Sequence, residues 1–189
     1  IIRAYDAEPL DQVIGRILHG TAEVDGSVDE VLRRGMELAV TGNESALPML
    51  IFVVWNQDGV ASAAVVRQAM AIRSLRDSCV WHSYCSHYVK DGTEIPSWRD
   101  FVRSYLPVKY ATAIERANVI DTFVGKLAWT PEKVSQIGFS KLQTARHRVE
   151  QEIAESGEPN DETIRVISEE THEALLLHLA GRNGDRPGF

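Results

Sequence analysis

The chain of 189 residues has only 2 cysteines. Cys79 and Cys85 stand six apart on an expected helix, which puts them on different sides of it and disfavours a mutual disulfide. Two thiols without a secretory leader fit a reducing cytoplasm. The first residues, Ile1 to Tyr5, offer no basic start running into an apolar stretch. The chain also opens without Met, so its start is expected to lie inside a longer protein or to follow processing. Long apolar runs are lacking. The longest, Ala46–Trp55, is interrupted by Pro48 and is too short to cross a bilayer. No Ser-His-Asp arrangement, Gly-rich phosphate loop or paired-carboxylate motif is legible. That argues against an enzyme and leaves no cofactor to expect. Internal repeats and low-complexity segments are missing too.

What is present is an ordinary soluble composition, 44% hydrophobic and 25% charged, with room for one compact domain or two small ones. The charge is unevenly placed. Residues 1–60 hold 4 Lys/Arg against 10 Asp/Glu, residues 61–148 hold 13 against 7, and residues 149–189 hold 3 against 10. A chain of net charge −7 has therefore gathered its basic residues in the middle. Such asymmetry points to polyanion contact, or to self-contact between blocks. It suggests four regions: an acidic helical stretch over 1–60, a basic helical core over 61–156, an acidic helix or helices over 157–180, and a flexible tail over 181–189.

Helical periodicity dominates. Leu10, Val13, Ile14, Ile17 and Leu18 recur at helical spacing between Pro9 and Gly20. Ser27 and Glu30 frame a capping box for a helix burying Val31, Leu32, Met36 and Ala39. Leu47–Trp55 fits a buried strand or a buried helix. The absence of a partner strand favours helix, and Asn56-Gln57-Asp58-Gly59 reads as a turn. Residues 60–89 read as one long helix, broken or continuous, with Val65, Ala69, Ile72, Leu75, Cys79 and Val80 as its apolar stripe. Shorter helices follow over 97–106, 108–129, 131–137, 140–156 and 161–180, the last with a candidate break near Ser168. The expected fold is all-α, a compact bundle with one or two helix-turn-helix units.

The first such unit is Thr130–Val149. Thr130 is an N-cap candidate, Pro131 a first-turn residue, Gly138 a turn, and Ser140 the cap of a longer helix. Leu142, Ala145, Val149 and Ile153 set its inward phase. Lys141, Gln143, Thr144, His147 and Arg148 then point outwards, and these are residue types that contact bases and phosphates. The alternative is a helical hairpin with a solvated polar face.

The second unit is Trp98–Phe123. Trp98, Phe101, Val102 and Tyr105 form a short buried face, and Tyr110, Ile114, Ala117, Ile120, Val124 and Leu127 a longer stripe. Lys109, Thr112, Glu115 and Arg116 lie opposite, with Glu115 and Asp121 diluting the basic character. Core packing is the competing explanation.

The stretch Tyr110–Glu150, about a fifth of the chain, resembles the helical DNA-binding region of ParB-type partition proteins and related plasmid and phage regulators. The likeness lies in a helix carrying Ala117-Asn118-Val119-Ile120, followed by Ile137-Gly138-Phe139-Ser140-Lys141-Leu142, where that family has a Gly-containing turn into a helix. The arginine-rich nucleotide-binding box of ParB is not visible, so no CTPase activity is implied.

Cys79, His82, Cys85 and His87 place four metal-ligand types close together, but on one helix they fan out at about 100° per step and cannot converge. No metal site is expected. His172 and His178, six apart, do not pair. Glu150, Glu152, Glu155 and Glu158 read as a solvated face, or as an acidic segment lying against the basic middle.

These features lead to a non-enzymatic, cytoplasmic DNA-binding or transcription-associated protein of plasmid, phage or bacterial type. The helix from Ser140 would enter the major groove, with Lys109, Arg116 and Lys126 near phosphates. A homodimer would read two half-sites. The alternative is a helical interaction subunit of a larger complex, such as a ribonucleoprotein, a polymerase or a virion assembly, with Leu47–Trp55 as its interface if exposed. No membrane association is expected.

Overall fold

The computed structural model describes residues 9–56, 61–83, 97–157 and 160–184, with side chains through Leu177. Among these residues the protein is all-α, with no strand and a single bridge residue at Val24. The chain divides after Asn118 into two units, a boundary inside the basic block.

In the first unit, α1 (Leu10–Leu18) follows Pro9 and buries Val13, Ile14 and Ile17. The helix α2 (Val28–Val40) starts at Ser27, whose hydroxyl accepts from the Glu30 amide at 3.2 Å. Only this half of the capping box forms, because the Glu30 carboxylate pairs with Arg33 instead. The apolar run is α3 (Ala46–Trp55), a helix. A helix apolar all round must be covered all round. Accordingly α1, α2 and the next helix, α4 (Ala61–Ser78), all pack against it. Leu47, Leu50, Ile51, Val53 and Val54 are wholly buried. Most of Leu47–Trp55 is thus core, with Phe52 half-buried and Trp55 exposed at its end.

The last turn of α3 is closed by a side chain from α4. Buried Gln68 donates its amide to the Val54 carbonyl at 2.6 Å and accepts from Arg116 at 2.5 Å. Orphan carbonyls at a helix end require such partners. The long helix expected over 60–89 is broken at Cys79, where the backbone turns into the left-handed region at φ 57, and residues 80–83 resume as helix. No glycine or proline announced this break. Cys79 is exposed rather than part of the apolar stripe. A left-handed conformation costs a non-glycine residue about 1–2 kcal/mol. Cys79→Gly, which removes an exposed side chain, is therefore expected to stabilise the first unit by about 1 kcal/mol. Urea unfolding checks this, and a loss of stability would show that the thiol makes contacts of its own.

The helix α5 (Trp98–Tyr105) carries a complete capping box between Ser97 and Asp100. Its Phe101 and Val102 join the same core, as do Ala113 and Ala117 of α6 (Tyr110–Ile120).

In the second unit the chain winds as a π-helical segment over Asp121–Lys126. The Leu127 amide reaches back five residues to the Thr122 carbonyl at 3.0 Å. The wider winding changes the buried stripe. Val124 is half-exposed, and Thr122 and Phe123 are buried in its place. After Trp129 come α7 (Pro131–Ile137), α8 (Phe139–Glu155) and α9 (Asp161–Gly184). The Asn160 side chain caps α9 by accepting from the Thr163 amide at 2.9 Å. The candidate break at Ser168 does not occur. Its hydroxyl is used instead to accept from the Trp129 indole at 2.7 Å. The backbone of α9 extends past residue 180, and residues 185–189 lie outside the described residues.

Candidate nucleic-acid interface

The strongest motif of the sequence is a helix, a glycine and a second helix, and the second unit contains it. Thr130 caps α7 by accepting from the Lys133 amide at 3.3 Å, with Pro131 in the first turn, as expected. Val134 and Ile137 are buried. The connection to α8 is one residue long. Gly138, at φ 91, ends α7 and also starts α8. A Cβ there would meet nothing within 4 Å, so the demand for glycine comes from the backbone angle and not from space. Ser140 is therefore not the cap. It lies in the first turn of α8, where its carbonyl accepts from the Thr144 hydroxyl at 3.1 Å.

The phase of α8 is as the periodicity indicated. Leu142 and Val149 are buried, Ala145 and Ile153 half-buried, and Gln143, Thr144, His147 and Arg148 exposed. Lys141 is half-exposed and Lys126 exposed. Lys109 and Arg116 belong to the first unit. There Lys109 is exposed, while Arg116 is half-buried against Gln68. Burial holds the Arg116 guanidinium below its ordinary range.

The sequence reading missed Arg146. It is 8% exposed, on the inner side of α8, and forms a fork to Glu150 with contacts of 3.0 and 2.8 Å. Glu150 also accepts from the Thr122 hydroxyl at 2.7 Å, which ties α8 to the π-helical segment. Burial alone would raise the Glu150 carboxyl. Hydrogen bonds from Thr122 and Arg146, and the charges of Arg146 and Lys126, outweigh it and hold the group below the ordinary carboxylate range. The signal for this pair was legible as an Arg-Glu spacing of four at an inward phase.

The outer face is mixed in charge. Arg148, with 81% of its side chain exposed, pairs with Glu152 at 2.8 Å, and Gln151 bonds Glu155 at 2.6 Å. The first half of α8 is therefore basic and the second half acidic. In the first unit Arg67 similarly meets Asp29 of the acidic N-terminal block at 3.4 Å. Part of the basic excess in the middle of the chain is thus met by the acidic blocks themselves.

Cys79, at the helix break, and His82, just beyond it, are exposed, and Cys85 and His87 lie outside the described residues. Among the described residues no group of side chains gathers metal ligands, and no helix is long and apolar enough to cross a membrane.

No family model, curated protein or solved structure matches the chain. The resemblance to ParB-type regions rests on the residues quoted for it.

Proposed function

We propose that the second unit is a non-enzymatic helix-turn-helix module of a DNA-binding regulator, and that α8 is its recognition helix. One observation carries this reading. The α7–Gly138–α8 hairpin buries Leu142 and Val149 and leaves Gln143, Thr144, His147 and Arg148 exposed on one side of its second helix. A helix presented to the major groove needs that division between packing face and polar face. Within this unit Lys126 is exposed and available to phosphates, whereas exposed Lys109 belongs to the first unit. Arg116 is engaged with Gln68 in the first unit, so it serves the core before any partner. A homodimer would present two such helices to two half-sites.

The test is binding of random-sequence duplex DNA across a salt series. With about three phosphates neutralised, the logarithm of affinity should fall with the logarithm of salt at a slope of about −3. No salt-sensitive affinity at low ionic strength would end this reading. An interaction subunit would then take its place. Leu176 and Leu177 of α9, 45% and 72% exposed, favour that second reading. Leu47, Leu50, Ile51, Val53 and Val54 cannot serve it, being core.

A further inference from the structure

Trp129 is 3% exposed and sits where three elements of the second unit meet. Its indole N–H donates to Ser168 of α9 at 2.7 Å, and the Phe123 ring of the π-helical segment lies at 5.0 Å. Lys133 of α7 holds its Nζ 4.3 Å over the indole. His172 of α9 meets the same indole edge-on at 5.6 Å. Two groups able to carry positive charge, from two different helices, therefore contact one buried ring. We propose that this cluster is a pH-sensitive latch, which fastens α9 to α7 while His172 is neutral and loosens when His172 gains a proton.

The physical reason is like charge at close quarters: Lys133 already sits over the ring that His172 meets. A proton on His172 adds a second positive charge beside Lys133 and must be held in a partly buried place. Burial first, and the Lys133 charge second, hold the imidazole below its ordinary range, with Glu173 of α9 opposing them. Burial also lowers the Lys133 ammonium, with Glu169 of α9 opposing. From α8, Arg148 and Glu152 line a groove with Glu170 and Thr171 of α9.

The sign follows from linkage. The fold binds the His172 proton more weakly than the unfolded chain does. The stabilisation is therefore complete above the ordinary imidazole value of about 6.5 and is lost as pH falls through and below it. The latch acts on the fold alone, so it holds whether or not α8 meets DNA.

Two measurements on the full chain test this: an NMR titration of His172, and hydrogen exchange of α9 amides between about pH 7.5 and pH 5, corrected for intrinsic rates. His172 should titrate below the ordinary imidazole value. Protection of the amides over 167–171 should fall by about tenfold for each unit of that depression. His172→Gln should remove the pH-dependent part of the loss. Lys133→Met should move the His172 titration upwards, and it decides the matter if the glutamine variant does not fold. A titration at or above the ordinary value would overturn the latch. So would an undiminished pH-dependent loss of protection in folded His172→Gln.

Discussion

Leu50→Ala is expected to lower the stability of the first unit by about 3–5 kcal/mol in urea unfolding. Leu50 is wholly buried on a helix whose neighbours Leu47, Ile51, Val53 and Val54 are buried as completely. Removing the side chain forfeits about 2–3 kcal/mol of transfer free energy, and the cavity left behind adds to it. The backbone of α2 already approaches closely here. A Cβ on Gly35 would stand 3.1 Å from the Leu50 Cδ2. Gly35→Ala alone should therefore cost about 1–3 kcal/mol by overpacking, less the roughly 1 kcal/mol gained by replacing a glycine inside α2. Made together with Leu50→Ala, it should cost less than the sum, because its methyl group enters the space Leu50 vacates. A loss below about 1 kcal/mol for Leu50→Ala would place α3 at a surface and return Leu47–Trp55 to the list of interfaces.

How much of this was legible depends on which physical term decided each element. Periodicity and caps located α1, α2, α5 and α7 closely, since both are local. The identity of α3 needed the absence of strands elsewhere, because an apolar run of that length has no period of its own. The break at Cys79 was invisible. Its left-handed φ is imposed by the fold on a residue that does not favour it. The π-helical segment was equally hidden. Ile120, Val124 and Leu127 fit an ordinary helix, and only tertiary packing exchanged Val124 for Phe123 and Thr122.

The candidate interface was read well in phase and less well in chemistry. Leu142 and Val149 fixed which side of α8 faces out, and that side is the one observed. Charge was harder, because a formal count cannot tell which cations are already engaged. Arg116 belongs to the closure of α3, Arg146 to the packing of α8, and Arg148 shares itself with Glu152. The same lesson applies to the acidic C-terminal segment. Cutting it away would remove buried Ile167 and the Ser168 hydroxyl that holds Trp129. Relief of repulsion from DNA is better sought by neutralising exposed Glu170 and Glu173.

Alanine at Lys141 is expected to weaken duplex binding by about 1–3 kcal/mol if it reads a base edge, and by less if it meets a phosphate. In the phosphate case the salt slope should also become shallower by about one unit. Lys141 stands half-exposed in the first turn of α8. Arg148→Ala should act in the same direction but more weakly, since Arg148 must leave Glu152 to reach DNA. That exposed pair contributes under about 1 kcal/mol, so it reduces the effect without removing it. The opposite sign is expected for Glu152→Gln, which frees Arg148 and should tighten binding by up to about 1 kcal/mol. Arg146→Ala is unsuitable as a binding probe. It removes the Arg146 fork from the half-buried Glu150 carboxylate, and any loss of affinity would report a disturbed α8. A matched pair, weaker for Arg148→Ala and tighter for Glu152→Gln with unfolding curves unchanged, and persisting at about 0.15 M salt where charges act over only about 8 Å, is the result expected if the exposed face of α8 meets the polyanion. Equal affinities for wild type and both variants would show that DNA, if bound, is held elsewhere.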